Sequence, residues 1–132
     1  MEPIFNFFTQ TVCWLEGKIA FSNDGRPIVF IKNEAVFAVK NGYYLGQFND
    51  GVFRDRLGFI VAFHRGAWWR KSHAKPQVGR MPPRIQSRAV PVRAYLPASP
   101  PRPARPFLSR STLDWKRFVM GCEAKRPWKT RR

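Results

Sequence analysis

The chain has 132 residues, and 24 Lys and Arg against 8 Asp and Glu give it a formal net charge of +16. Residues 1–63 hold six basic and six acidic side chains, whereas residues 64–132 hold 18 basic and two acidic ones. Ten of the 12 prolines also lie beyond residue 75. This composition excludes a uniform globule and a coiled coil, and it argues against a large catalytic domain.

The N-terminus begins Met-Glu and lacks the basic region of a signal peptide. No run approaches 18 uninterrupted apolar residues, so the sequence predicts no spanning helix. The two cysteines, Cys13 and Cys122, are too far apart and too few to indicate a disulfide framework or a zinc site. We therefore expect a cytoplasmic protein.

The neutral half contains phenylalanines at a constant spacing of 16 residues, at Phe5, Phe21, Phe37 and Phe53. An apolar residue precedes each one, and two more follow seven and eight positions later. Gly- or Asn-containing turns separate these short apolar runs, such as 23–25, 41–42, 49–51 and 57–58. Runs this short favour strands, so each unit predicts a β-hairpin, and four hairpins must pool their apolar faces. We expect the four phenylalanines to occupy equivalent core sites.

The second strand of each unit is apolar on both faces, as in Val12-Cys13-Trp14-Leu15 and Ile28-Val29-Phe30-Ile31. A strand that is apolar on both faces is buried on both faces. A second copy of the chain could provide the cover, which would mean self-association. The beginning of the C-terminal half is an equally good candidate.

Five stretches of the neutral half, residues 1–6, 21–31, 35–37, 44–48 and 51–58, are similar to the bacterial 4-fold beta flower domain. The resemblance covers about the first 65 residues, and a Pro-rich segment after them also fits. It implies an all-β fold with four hairpins around a pseudo-fourfold axis, in a family without an assigned catalytic activity. The first repeat differs, because Phe7-Phe8-Thr9-Gln10 stands where a glycine turn is expected.

The C-terminal half has a different composition, and we divide the chain into a hairpin domain at 1–66, a Pro/Arg-rich segment at 67–110, a short helix at 111–121 and a basic end at 122–132. Prolines and mutually repelling arginines in 76–106 predict an extended, disordered segment. Two PxxPxR spacings, 97–102 and 100–105, resemble ligands of aromatic-lined grooves, although an Arg/Pro-rich composition produces such matches by itself.

The predicted helix starts with Ser111 and Asp114, which are spaced as a capping box. Leu113 and Phe118, with Trp115, could form an apolar stripe before Gly121 ends the helix. Docking on the hairpin domain is the expected role, and a partner-binding peptide is the alternative.

The sequence contains no arrangement of residues that is typical of a catalytic site. His64 and His73 have no metal-ligand spacing, and Cys13, which could pair with His64, lies in an apolar strand where a core thiol is usual. We predict no catalytic residue, no cofactor and no metal. The sequence favours a non-enzymatic structural or protein-interaction module that presents a basic Pro-rich segment.

The alternative function is non-specific nucleic-acid binding by the C-terminal half, through phosphate neutralisation and aromatic stacking. The candidate residues are Arg80, Arg84, Arg88, Arg93, Arg102, Arg105, Trp128, Arg131 and Arg132.

Overall fold

A computed structural model of the chain describes residues 1–8, 10–64, 83–85 and 110–123. The first two ranges contain eight strands, and the last contains one helix. The elements are β1 (Glu2–Phe5), β2 (Thr11–Glu16), β3 (Ile19–Phe21), β4 (Pro27–Lys32), β5 (Ala35–Ala38), β6 (Tyr44–Asn49), β7 (Val52–Arg54), β8 (Ile60–His64) and α1 (Trp115–Met120).

The eight strands form a closed antiparallel barrel in which each strand pairs with its neighbours in the sequence. β8 closes the barrel by pairing with β1, where Ile4 lies opposite His64 and Phe5 opposite Phe63. The prediction of an all-β fold built from four hairpins is confirmed. Most of the Pro/Arg-rich segment, with its expected disorder and its PxxPxR spacings, and residues 124–132 lie outside the described residues.

The up-and-down topology gives the barrel two distinct ends. The loops inside the four hairpins, 6–10, 22–26, 39–43 and 55–59, lie at one end, which we call the loop end. The turns between hairpins, 17–18, 33–34 and 50–51, lie at the other end, which we call the turn end. β8 runs from the loop end to the turn end, so the chain leaves the barrel at the turn end after His64.

The interior of the barrel contains a ring of one residue from the first strand of each hairpin: Ile4, Ala20, Val36 and Phe53. Each ring residue pairs across its hairpin with a small or β-branched residue or a cysteine, namely Cys13, Val29, Gly46 and Ala62. These four residues come from alternate strands around the closed barrel, so they can belong to one buried cluster only if their side chains face the interior. Immediately after each ring residue the pairing register shifts by one residue.

The ring shows that the structural repeat is 16, 16 and then 17 residues. The amide-to-carbonyl hydrogen bonds that close the hairpin loops run from Asn6 to Gln10, Ser22 to Arg26, Ala38 to Tyr43 and Asp55 to Phe59. The third bond spans one residue more than the others, so the extra residue lies in the loop of the third hairpin.

The expectation that four phenylalanines occupy equivalent sites is therefore wrong for Phe53. Phe5, Phe21 and Phe37 follow a ring residue and face away from the interior, whereas Phe53 is itself a ring residue. All four side chains are nevertheless fully buried. Because of the extra residue, Arg54 occupies the position that belongs to phenylalanine in the other three hairpins.

The residue after each ring residue faces outward and pairs with a strand of the neighbouring hairpin. In three hairpins its partner is aromatic, as in Trp14–Phe21, Phe30–Phe37 and Phe5–Phe63. The ring centroids of Phe30 and Phe37 are 5.4 Å apart in a stacked arrangement. In the fourth case the pair is polar, because Arg54 lies opposite Gln47. The pseudo-fourfold symmetry is thus broken at one position, in the wall that adjoins the last hairpin.

α1 packs against the barrel interior through Trp115 and Phe118, which belong to the same buried cluster as the ring. The ring centroid of Phe53 lies 5.1 Å from that of Trp115 and 6.3 Å from that of Phe118. A Cβ added at Gly46 would lie 3.1 Å from Phe118 Cε1 and 2.0 Å from the Arg54 carbonyl oxygen. Glycine at position 46 therefore allows β6, β7 and α1 to approach one another closely.

The helix begins later than the sequence suggests. Asp114 is its N-cap, and its side chain accepts a hydrogen bond from the Arg117 amide at 2.8 Å. Gly121 ends the helix in the left-handed conformation, with a φ of 81°. Asp114 is therefore not the third residue of a capping box begun by Ser111, whose hydroxyl is used in a tertiary contact.

Candidate functional site at the loop end

The tertiary contact of Ser111 is with Asp55, the first residue of the last hairpin loop. Asp55 Oδ1 accepts hydrogen bonds from the amides of Leu57 at 2.9 Å and Phe59 at 3.0 Å. Asp55 Oδ2 accepts from the Ser111 hydroxyl at 2.5 Å. The carboxylate is fully buried, and these donors replace the water that it loses.

The same segment adds a short parallel contact to the beginning of β8. Arg110 forms a parallel bridge with Ile60, and the Ser111 amide donates to the Ile60 carbonyl at 2.6 Å. The Ser111 hydroxyl also accepts from the Leu113 amide at 3.0 Å. The chain therefore leaves the barrel at the turn end after His64 and rejoins it at the loop end at Arg110.

Residues 65–109, which we call the connecting segment, are thus held at both ends by the barrel. The sequence predicts only a Pro/Arg-rich segment at 67–110 here, because nothing in its composition indicates where the chain returns to the barrel. The polar Ser111 before an apolar helix is the available signal, but its spacing to Asp114 indicates a helix cap rather than a contact with the barrel.

A groove of about 340 Å³ lies where the returning segment meets the first hairpin loop. Its walls include Asn6, Phe7 and Phe8 on one side and residues 110–115 on the other. The Arg110 guanidinium lies 5.8 Å from the centroid of the Phe8 ring, within cation–π range. Asn6 fixes this loop without a glycine, because its Oδ1 accepts from the amides of Phe8 and Gln10.

Two arginines of the last hairpin, Arg54 and Arg56, stabilise the fold by donating hydrogen bonds to backbone carbonyls. Arg54 is 3% exposed, and its Nη1 donates to the Gly58 carbonyl at 2.8 Å. Burial lowers the pKa of the Arg54 guanidinium, and the nearby Asp50 and Asp55 carboxylates partly oppose this. Arg56 donates through Nε and Nη2 to the Tyr44 carbonyl, at 3.1 and 2.7 Å.

Of the residues predicted to bind nucleic acid, the structure describes only Arg84, which is exposed. Arg84 lines a cavity of about 530 Å³ with Asn23 and Asp24 of the second hairpin loop. Asp24 also forms an exposed ion pair with Arg26 at 3.1 Å. The other candidates lie outside the described residues: Arg80, Arg88, Arg93, Arg102, Arg105, Trp128, Arg131 and Arg132.

The Cys13 and His64 side chains form no reactive pair. Cys13 is fully buried beside the ring, and burial raises the pKa of its thiol well above the usual range. His64 Nε2 instead contacts Glu2 Oε1 at 3.0 Å. A protonated, inaccessible thiol is a packing group rather than a nucleophile. Among the described residues, no group of three or more His, Cys, Asp or Glu side chains could hold a metal.

α1 is much shorter than a bilayer-spanning helix, and the described ranges contain no helix long and apolar enough to cross a membrane.

These features define a small antiparallel β-barrel of four pseudo-equivalent hairpins, whose interior is covered by a short C-terminal helix. The sequence profile of the 4-fold beta flower proteins matches residues 2–119, which includes the barrel and nearly all of α1. The chain belongs to this family. Searches of the curated proteins and of the solved structures found no significant match.

Proposed function

We propose that the protein is a non-enzymatic interaction module, in which the barrel is a structural platform that presents the connecting segment to a partner. The observation that carries this proposal is the attachment of the segment at both ends, after His64 and at Arg110–Ser111. The barrel and the segment then stay together as one binding unit.

The composition of the connecting segment supports a role in recognition. Residues 65–109 hold ten basic and no acidic side chains, and they include both PxxPxR spacings. Attachment at both ends reduces the conformational freedom that the segment loses on binding, which favours affinity. A protein domain with an aromatic-lined groove for proline-rich peptides is the partner class that this chemistry fits best.

We further expect a cytoplasmic location, and the two free cysteines support it. Cys13 is buried and Cys122 is exposed, and neither forms a disulfide. Unpaired thiols are typical of a reducing compartment. A second copy of the chain is another partner class. Such self-association would not use strand pairing, because the described strands form a closed barrel without a free edge.

The second candidate function is non-specific nucleic-acid binding, and the absence of acidic residues from 65–109 favours it. The binding residues would be the arginines at 80, 84, 88, 93, 102 and 105, with Trp128, Arg131 and Arg132 in the basic end. Flexible arginines contact phosphates more readily than base edges, so sequence preference would be weak.

A pair of proline variants tests the proposed function. Changing Pro97, Pro100 and Pro103 to Ala removes both PxxP spacings, whereas changing Pro76, Pro82 and Pro83 to Ala removes three prolines outside them. The full chain and both variants would be titrated with a panel of proline-peptide-reading domains. We expect saturable binding by the wild type and by the second variant, and at least a tenfold loss in the first.

A salt titration with labelled duplex DNA tests the alternative. Binding through phosphates would show a log–log slope of about −0.9 per phosphate contact. If DNA binds with a slope that corresponds to several contacts, and no peptide-reading domain distinguishes the two proline variants, the nucleic-acid function replaces the interaction module.

A further inference from the structure

The described part of the chain exposes four large apolar side chains, and all four lie at the loop end. Phe8 is 71% exposed, Tyr43 57% and Leu57 36%, each in a different hairpin loop. Met120 is 66% exposed and belongs to α1. Trp115, the first residue of α1, lines the same groove as Ile60 and the first hairpin loop, and Gly121 at its other end lies next to Leu45, so α1 also lies at the loop end.

The charges of the described residues are also distributed unevenly between the two ends. The loop end, with Arg54, Arg84 and residues 110–123, carries eight basic and four acidic side chains, and the turn end with Glu2 carries two basic and four acidic ones. The loop-end charges are Arg26, Lys40, Arg54, Arg56, Arg84, Arg110, Lys116 and Arg117 against Asp24, Asp55, Asp114 and Glu123. The turn-end charges are Lys18 and Lys32 against Glu2, Glu16, Glu34 and Asp50.

The net side-chain charge is therefore +4 at the loop end and −2 at the turn end. The basic C-terminal residues 124–132 also follow α1 in the sequence, with five basic residues, no acidic residue and Trp128.

We propose that the loop end docks on a bilayer that contains anionic phospholipids, with Phe8, Tyr43, Leu57 and Met120 at the headgroup boundary. Single apolar side chains on separate loops insert between lipids, because a lipid surface needs no complementary shape. Basic residues around them are attracted to the anionic headgroups, and the acidic turn end faces away. The chain would lie on the membrane rather than cross it.

A protein partner is less well matched to this surface. The four apolar side chains lie on four separate elements, and protein hot spots are instead clustered in desolvated pockets. A nucleic acid would use the basic residues but would not require Leu57 or Met120, because neither aliphatic side chain provides a stacking face for bases. The combination of exposed aliphatic, aromatic and basic side chains favours lipid.

Co-sedimentation of the full chain with vesicles tests this proposal. The vesicles would contain either phosphatidylcholine alone or a 70:30 mixture of phosphatidylcholine and phosphatidylglycerol. We expect binding to the mixed vesicles, weakened by added salt, and little binding to the neutral ones. The triple variant Phe8→Ser, Tyr43→Ser, Met120→Ser should bind the mixed vesicles roughly tenfold more weakly.

Two charge reversals provide a matched comparison, because Lys40 and Lys18 are both exposed and each change alters the net charge equally. Lys40→Glu, at the loop end, should weaken vesicle binding about fivefold or more, since each basic residue near the surface contributes roughly that factor. Lys18→Glu, at the turn end, should have a smaller effect. Equal effects of the two reversals would overturn the proposed orientation.

A fluorescent label on the thiol gives a readout that does not depend on affinity. Cys122 is exposed and follows α1, whereas Cys13 is buried. A polarity-sensitive dye on Cys122 should shift to the blue on mixed vesicles. The same dye on Lys18→Cys, in a Cys122→Ser background, should not. Equal shifts of the two labels would overturn the proposal. The proposal would also be overturned if the triple serine variant bound the mixed vesicles as tightly as the wild type and duplex DNA displaced it completely. Either result would mean that electrostatic attraction alone accounts for binding.

Discussion

The Asp55 carboxylate accepts a hydrogen bond from the Ser111 hydroxyl at 2.5 Å and so joins the last hairpin loop to a residue 56 positions further along the chain. Both residues are buried. Because Ser111 also donates its amide to β8, this one residue holds the returning chain through its main chain and its side chain.

We predict that Ser111→Ala lowers the free energy of unfolding by about 1.5–3 kcal/mol, because it leaves a buried carboxylate oxygen without its donor. The matched control is Ser22→Ala in the second hairpin loop, where a serine hydroxyl also hydrogen-bonds an aspartate. The Ser22 hydroxyl contacts the exposed Asp24 and accepts a long, exposed hydrogen bond from the Arg26 amide, so its loss should cost no more than about 1 kcal/mol. Urea unfolding measures both values, and equal losses would contradict the anchoring role of Ser111.

Gly46→Ala should be strongly destabilising, although Gly46 has no positive φ. A Cβ at this position would lie 2.0 Å from the Arg54 carbonyl oxygen, so the β6–β7 pairing must open. Gly17→Ala is the control, since a Cβ there meets nothing within 4 Å and only the φ of 61° opposes it. We expect Gly17→Ala to cost about 1 kcal/mol and Gly46→Ala to cost several times more, measured by thermal unfolding. A similar melting temperature for the two variants would argue against the close packing at Gly46.

A double-mutant cycle tests the assignment of Phe53 to the interior ring. Phe53→Ala and Phe118→Ala should each cost about 3–5 kcal/mol, with a coupling energy of about 0.5–1.5 kcal/mol from their edge-to-face contact. Phe37→Ala should cost a similar amount, but it should be additive with Phe118→Ala, because Phe37 faces away from the interior. Equal coupling energies of Phe37 and Phe53 to Phe118 would contradict the inward position of Phe53 and favour a strict 16-residue repeat.

Stability should decrease above about pH 8.5, where the Cys13 thiol ionises in the unfolded chain. Burial raises the pKa of this thiol, so the folded chain keeps its proton while the unfolded chain loses it. The unfolded state then binds fewer protons than the folded state, and the free energy of unfolding falls as the pH rises. Denaturant unfolding between pH 7.5 and 9.5 measures the slope.

The control for the pH effect is Cys13→Ala, which should flatten this slope, whereas Cys122→Ser should leave it unchanged because Cys122 is exposed. A thiol reagent gives a second check, since the native chain should show one fast thiol and the denatured chain two. A second fast thiol in the native chain would contradict the burial of Cys13.

The hairpin architecture was predictable because apolar runs and turn residues alternate within each repeat, and this pattern is local. The true register at Phe53 was not predictable from phenylalanine spacing, since a phenylalanine happens to stand 16 residues after Phe37. The residues that begin the loops carried a better signal, because Asn6, Ser22 and Asp55 have side-chain oxygens that accept loop amides, and the step from Ser22 to Asp55 is one residue longer than two repeats.

The candidate site was harder to predict, because it depends on contacts between distant parts of the chain. The Asp55–Ser111 hydrogen bond and the packing of Trp115 and Phe118 on Phe53 leave no local pattern in the sequence. The exposure of Phe8 and Tyr43 was equally hidden, since aromatic residues in a Phe-rich sequence are normally assigned to the core.

The attachment of the connecting segment at opposite ends of the barrel has a mechanical consequence. Tension applied between the barrel and the C-terminus acts first on α1 and the Ser111 contacts, not on the strand pairs of the closed barrel. Once α1 and the Ser111 contacts detach, 45 residues separate His64 from Arg110, and a chain of that length spans at most roughly 150 Å when extended. The protein would lengthen by several times the length of its strands while its eight-stranded barrel stayed folded, as an extensible tether does.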